Sequence, residues 1–305
     1  CIAKQTRYFD GLTEEDGKIH TGLADWCAPQ HPHPYCEDSF LRMSFVAYAA
    51  KLASFMFGVI HDEQRAKECA AVAEKMRKAV RGFYVDEKTH LINFKGQSGP
   101  ALALYFGICE KDEEIPVFND LVKRIEESNC VMDTGVFGTR VLFHVLTKFG
   151  RTDLALKCIL NPVCPSYASW VRTGLTTLAE MPQGLEETDS RGEFSISSLN
   201  HHFMGDISNW FKTALCGIVV NPELTDADHF ILEPHLTDAL TDVNGTHGFP
   251  GGNLSVSWHR DDNQATVTVT ASGRIHGIFV EADGWKVTDG EKRITAGTTV
   301  INLQK

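Results

Sequence analysis

Much of what usually announces a function is missing from these 305 residues. No C-x-x-C pair offers a zinc site or a redox dithiol. No G-x-G-x-x-G, P-loop or G-x-S-x-G stretch offers a nucleotide cradle or an α/β-hydrolase nucleophile elbow, so no cofactor is expected. Basic residues are scarce: Lys plus Arg number 29 against 40 Asp plus Glu, a net charge of −11. A phosphate backbone would meet net repulsion with no basic stripe to offset it, so neither nucleic acid nor an anionic membrane is an expected partner. The longest apolar run, residues 45–60, is interrupted by Lys51 and Ser54 and falls short of the roughly 20 residues that cross a bilayer. His31-Pro32-His33-Pro34 sets two histidines at i, i+2 without a third ligand, which reads as a solvated loop and gives no metal site.

What is present fits a soluble globular chain of one large or two modest domains, with 43% hydrophobic and 23% charged residues. The first residue is Cys1, and no secretory signal follows it, so a processed chain or a piece of something longer is expected. The 9 cysteines are odd in number and scattered. Several sit among apolar helical residues, where a free thiol behaves as a small hydrophobe, which favours a reducing, cytoplasmic compartment and leaves export open. Asn-x-Ser/Thr sites at Asn244 and Asn253 are too common to overturn that.

Two-thirds of the chain reads as helix and the last third as strand, the change falling near Asn221-Pro222. Cys69, Val72, Met76, Val80 and Phe83 recur at spacings of three and four after acidic Asp62-Glu63, an amphipathic helix. Phe118, Leu121, Val122 and Ile125 repeat the pattern after Glu113-Glu114-Ile115-Pro116, with proline in the first turn where its missing N–H costs nothing. Residues 40–57 and 101–108 are apolar nearly all round and read as buried helices. Further helices are expected at 137–149, 152–159 and 200–218. Buried and amphipathic helices in alternation suggest stacked helical hairpins, as in an α/α barrel or solenoid. After Pro222 the period becomes two. Leu254, Val256 and Trp258 alternate with Ser255, Ser257 and His259; then come Ala265, Val267 and Val269, Ile278 and Val280, and residues 300–303. Turn signals between them predict a small antiparallel β-sandwich. The expected domains are 1–222, helical, and 223–305, a β domain of about 80 residues.

Chemistry concentrates between Ser166 and Phe211. Glu180 follows a Gly-Leu-Thr-Thr-Leu run, and His201-His202 opens the next helix after a polar loop. As plain structure, Glu180 is a helix-end acid and the histidines cap or line a core. As chemistry, a carboxylate and an imidazole share one rim, where an acid is tuned for proton transfer. Trp26, Trp170 and Trp210 lie in loops or at helix ends near these polar groups, either as core or as the flat apolar faces a pyranose ring needs. Glu186-Glu187 and Asp283 read as solvated surface.

With those residues in view, the chain resembles the C-terminal part of bacterial-type α-L-rhamnosidases of glycoside hydrolase family 78. Gly22-Leu23-Ala24-Asp25-Trp26 with Ala28-Pro29 resembles that family's G-D-W-x-A-P loop, and Thr134-Gly135-Val136-Phe137-Gly138-Thr139 its T-G-F-x-G-T segment. Thr173-Gly174-Leu175-Thr176-Thr177-Leu178-Ala179-Glu180 resembles N-G-A-T-T-x-W-E. Ser198-Leu199-Asn200-His201-His202, with Gly205 and Trp210-Phe211, resembles S-F-N-H-Y-x-x-G-x-x-x-W-F. The four occur in the family's order and are jointly specific.

The resemblance implies an (α/α)6 barrel, here its C-terminal half, followed by a small antiparallel β-sandwich. It implies an inverting hydrolase of terminal α-L-rhamnose in glycosides or polysaccharides. Such an enzyme uses one carboxylate to protonate the leaving oxygen and another, roughly 6.5–9.5 Å away, to activate water. Glu180 aligns with the general base and His201 with a sugar-contacting histidine, while Asp25, Trp26 and Trp170 are expected at the sugar-facing rim. The family's tryptophan before the base is Ala179 here, and Met181-Pro182 replaces the residues that usually come next, so a reshaped subsite is expected. The general acid belongs to an upstream D-x-x-R-x-E-R-x-G-W-x-G-D motif with no counterpart here. Asp189-Ser190-Arg191-Gly192-Glu193 has a passing likeness but stands in the wrong order. The expectation is a half-barrel whose exposed apolar helix faces need an upstream segment of the same parent chain or a partner chain, and which alone is a poor enzyme. The alternatives are another α/α-barrel sugar hydrolase or lyase, and a non-catalytic carbohydrate-binding or assembly module that lost the acid.

Overall fold

A computed structural model describes residues 1–29, 35–181, 198–220 and 226–305. The His31-Pro32-His33-Pro34 loop, Glu186-Glu187, residues 189–193 and the Asn221-Pro222 junction lie outside the described residues. The chain divides into two compact units: Cys1–Val145 with Cys158–Met204, and Leu146–Lys157 with Gly205–Lys305.

The first unit is helical. It contains α1 (Ile2–Asp10), α2 (Asp38–Val59), α3 (Glu63–Tyr84), α4 (Ser98–Phe106), α5 (Glu114–Glu127), α6 (Val136–Lys148) as far as Val145, and α8 (Tyr167–Arg172), while α7 (Thr152–Ile159) belongs to the second unit as far as Lys157. The side chain of Asp62 caps α3 by accepting the Arg65 N–H, satisfying one of the donors a helix start leaves open. Gly107, in the left-handed conformation at φ 70°, closes α4, whose residues are buried as its composition predicts except Tyr105. The apolar stripe of α3 runs through Cys69, Met76, Val80 and Tyr84, one residue off the expected end, because Tyr84 and not Phe83 turns inward. Tyr84 packs edge-on against Phe40 at 5.5 Å, and its hydroxyl reaches Glu37 at 3.0 Å, so its polar tip is satisfied where a buried Tyr needs it.

Helix α2 departs from the reading of a fully buried helix interrupted below bilayer length. It is one continuous stretch of 22 residues, long and apolar enough to cross a membrane by length and composition. The same helix buries Phe40, Leu41, Met43, Val46, Ala47, Ala50 and Ala53 within this unit, as a core helix does. Its opposite face leaves Phe45, Leu52, Phe55, Met56 and Val59 each between 38% and 50% exposed. A cavity of about 360 Å³ adjoins this face, lined by Phe9, Leu12, Ile19, Leu41, Phe45 and Phe137 among others.

In the second unit two sheets share one core. The first has the order β1 (Ile218–Val219), β2 (His229–Leu232), β6 (His276–Phe279), β8 (Arg293–Ile294). The second runs β3 (Asp242–Phe249), β4 (Gly252–Arg260), β5 (Gln264–Ala271), β9 (Gly297–Gln304), β7 (Lys286–Asp289) and is antiparallel throughout. One pair departs from the antiparallel expectation: β2 and β6 run parallel, pairing Phe230 with Gly277 and Leu232 with Phe279. That register turns Phe279 inward and leaves Ile278 47% exposed, the reverse of the expected phase, since a one-residue shift swaps faces. Leu254, Val256 and Trp258 point into the core as their alternation predicts. The expected helix at 200–218 is broken into a 3₁₀ turn (His202–Gly205), α9 (Asp206–Trp210) and a π turn (Phe211–Leu215) before β1 begins.

One ion pair stands out in the helical unit. Glu113, with a side chain only 7% exposed, takes both Arg81 Nη atoms at 2.6 and 2.9 Å, the Glu110 N–H at 2.7 Å and His90 Nδ1 at 3.0 Å. The Arg81 guanidinium comes first among the causes that hold its carboxyl at about 2, below an ordinary 4.5. A depressed folded value means stability present above pH 4.5 and lost as pH falls toward 2. The shift corresponds to about 3 kcal/mol at neutral pH. Glu113→Gln is expected to lower unfolding free energy at pH 7 by ~2–3 kcal/mol and to flatten its decline below pH 5, read from urea midpoints across pH. A mutant with the wild-type pH slope would contradict this.

Candidate active site

The loop between α1 and α2 carries Asp25 and Trp26. Asp25 is 0% exposed. Its Oδ1 accepts the N–H of Phe137 at 2.7 Å and of Gly138 at 2.8 Å, while Oδ2 accepts the Ser98 hydroxyl at 2.6 Å and the Gly135 N–H at 3.2 Å. The three N–H groups sit at the start of α6, where they have no intrahelical partner and the helix dipole is positive. A carboxylate more than a hundred residues away in sequence thus caps the helix. Burial pushes the Asp25 carboxyl above its ordinary range, and the four donors pull it back. Gly135 and Gly138 are small because they must be. A Cβ on Gly135 would meet the Asp25 carbonyl oxygen at 2.5 Å, and one on Gly138 would strike the Ser98 hydroxyl.

Two further ties hold the loop. Trp26 O accepts the Val136 N–H at 2.9 Å. Arg42, from α2, donates Nε to the carbonyls of Gly22 at 3.1 Å and Leu23 at 3.3 Å, and Nη1 to that of His20 at 2.7 Å. Cys27 takes φ 60° directly after Trp26, a strained setting for a residue with a Cβ that persists because its neighbours are pinned. The Trp26 ring is partly buried and meets Phe137 at 5.7 Å and Phe203 at 5.8 Å, both edge-on.

The chain around Glu180 is laced to the chain around His201. Glu180 N–H donates to Ser198 O at 2.8 Å, His201 N–H to Leu178 O at 2.8 Å, and the Thr177 hydroxyl to Leu199 O. The Ser198 N–H returns a bond to Glu180 Oε2 at 3.1 Å. That lacing brings His201 Nδ1 to 4.0 Å from Glu180 Oε2, the two side chains being 17% and 29% exposed. His201 Nε2 is buried and has no hydrogen-bond partner among the described residues. His201 also lies over Phe203 at 5.2 Å, and Phe203 links it to Trp26.

The structure therefore brings Glu180, His201 and Trp26 to one wall and gives the other expected residues different places. Asp25 faces no solvent and has both oxygens engaged, so its part is to hold the loop and not to meet a sugar. Trp170 is 4% exposed, packed with Val136, Ala179 and Met204, so it backs the wall instead of presenting a face. Trp210 is fully buried, its indole donating to the Thr147 hydroxyl at 2.9 Å. Sequence reasoning missed Ser98, Arg42 and Phe203, and it named Ser198 only as part of a motif. Only the Gly135–Gly138 spacing at a helix start hinted at an anion cradle, and Ser98 carried no signal at all. No group of three or more His, Cys, Asp or Glu is placed to hold a metal among the described residues.

Residues 3–215 match the profile described as the bacterial alpha-L-rhamnosidase six-hairpin glycosidase domain. The chain belongs to that family. Alpha-L-rhamnosidases from an Alteromonas species and from Formosa agariphila are 30% and 25% identical to it, over 90% and 98% of its length. The chain spans only 30% and 32% of those two proteins, less than a third of each. The fold agrees with alpha-L-rhamnosidase structures from Dictyoglumus thermophilum, with a TM-score of 0.85 at 20% identity, and from Streptomyces avermitilis, solved with L-rhamnose, with 0.81 at 21%. Each match covers 100% of this chain, and 36% and 29% of those chains. The half-barrel and sandwich expected from the family's motifs accord with that likeness.

Removing the Asp25 carboxylate strands three N–H groups and a hydroxyl in a buried site. Asp25→Ala is expected to cost ~3–5 kcal/mol of unfolding free energy, and Asp25→Asn less, since its amide keeps one acceptor oxygen. Urea unfolding of the two variants measures this, and a loss under ~1 kcal/mol for Asp25→Ala would show that the helix start has other partners.

Proposed function

We propose that this chain supplies the base-bearing half of the site of an inverting glycoside hydrolase that removes terminal α-L-rhamnose from glycosides or polysaccharides. The observation that carries the reading is the pair at the laced segments: a half-buried carboxylate, Glu180, beside a histidine whose Nε2 is buried without a partner among the described residues. A buried polar atom left unmet is costly, and a sugar hydroxyl is a group that would meet it. In this reading Glu180 takes the proton of a water attacking the anomeric carbon. The Ser198 N–H fixes which Glu180 oxygen is engaged, His201 holds a rhamnose hydroxyl, and Trp26 offers an apolar edge to the ring.

The general acid then lies outside this chain, in an upstream segment of the same parent protein or in a partner chain. We infer that the same segment covers the exposed face of α2, since its apolar side chains stay 38–50% exposed in a chain that spans less than a third of its curated relatives. Helical residues 1–222 would carry the sugar site and residues 223–305 the β domain.

In the complete enzyme, Glu180→Gln is expected to lower turnover of an aryl α-L-rhamnoside by ~10²–10⁴ while sparing KM, because a general base acts in the transition state and not in binding. Unchanged turnover would sink the assignment. Ala179 in the family's tryptophan position favours a second reading, a non-catalytic sugar-binding module. Full-length protein that binds rhamnose yet shows no turnover with Glu180 intact would select it.

A further inference from the structure

We propose that Cys130 and Cys158 form a dithiol that a small-molecule disulfide converts to an intramolecular disulfide. Both cysteines belong to the helical unit and lie at helix ends, Cys130 just after α5 and Cys158 in the last turn of α7. Asn161 brackets the pair. Its backbone N–H donates to Cys158 O at 3.3 Å, and its side-chain amide donates to Asn129 O, the neighbour of Cys130, at 2.8 Å. Burial and, after it, the neighbouring Cys130 side chain push the Cys158 thiol up, which sets the two side chains next to each other. Asn129 and Cys130 both take left-handed φ, 54° and 60°. Asn tolerates that conformation, but at Cys130 the Cβ carries a steric cost, so the backbone there is held against its preference.

The two cysteines differ in access in the way a stepwise exchange requires. Cys130 is half-buried and Cys158 is 0% exposed. The Cys130 thiol loses its proton to water, and its thiolate attacks one sulfur of oxidised glutathione. That S–S bond breaks, one glutathione thiolate leaves and a mixed disulfide stands on Cys130. The Cys158 thiol then gives up its proton and attacks the Cys130 sulfur, expelling the second glutathione thiolate. Two protein thiols are oxidised, one small disulfide is reduced, and the two protons end on the released thiols. Burial pushes the Cys158 thiol up, so the second step quickens as pH rises. The new bond closes a loop that contains α6, the helix whose start holds Asp25.

The test treats the folded full chain with oxidised glutathione, alkylates the remaining thiols and digests without reduction. The expected product is a peptide joined between Cys130 and Cys158 and freed by dithiothreitol, with Tm raised by roughly 5 °C or more and restored on reduction. Cys158→Ala is expected to stop at one glutathione on Cys130, and Cys130→Ala to take up none at Cys158. Wild-type protein that keeps glutathione on Cys130 without the joined peptide, or pairs Cys130 with another cysteine, would overturn the proposal. Because the wild-type digest decides the matter, it stands even where a variant folds poorly.

Discussion

A single buried carboxylate holds the candidate site in place. Asp25 sits where no solvent reaches, and four donors from two different helical regions converge on it. A lone carboxylate would not be kept there uncompensated, since removing it from water costs several kcal/mol that only directed hydrogen bonds offset. The α6 start supplies those bonds from N–H groups that would otherwise be orphans, so each side solves the other's problem. With Asp25 anchored, Trp26 beside it is fixed by its carbonyl and packed by Phe137 and Phe203, and Phe203 carries the contact on to His201.

The sequence made the larger outlines readable. Helix periods around Cys69 and Phe118 and the alternation at Leu254 to Trp258 each pointed to the element found, because burial of one face writes itself into spacing. The misreadings have local causes. Phe83 and Tyr84 are adjacent and both aromatic, and only the hydroxyl's reach to Glu37 decides which turns inward. Ile278 lost its expected place because β6 pairs in parallel with β2, and register of that kind is set by a distant strand.

At the site, residue types were legible and roles were less so. Glu180 and His201 stood out as a carboxylate and an imidazole near each other in sequence, two family motifs suggested their roles, and the lacing of residues 177–180 to 198–201 joins those two motifs. Asp25 was expected at the sugar-facing rim and the structure turns it inward: an Asp-Trp pair in a loop reads the same whether the acid points out or in. Nothing in the sequence marks Ser98, a hydroxyl at the start of an apolar helix, as its partner. The exposed stripe of α2 is the converse case. Its apolar residues promised burial, and the shortfall within this chain matches a stretch that spans less than a third of its curated relatives.

The measurement that tests the account most directly is a crystal structure of the full-length protein with L-rhamnose bound. The account predicts the sugar against Trp26, a rhamnose hydroxyl hydrogen-bonded to His201 Nε2, and a water between a Glu180 carboxylate oxygen and the anomeric carbon. Rhamnose seated elsewhere, with His201 Nε2 and Glu180 untouched, would contradict it.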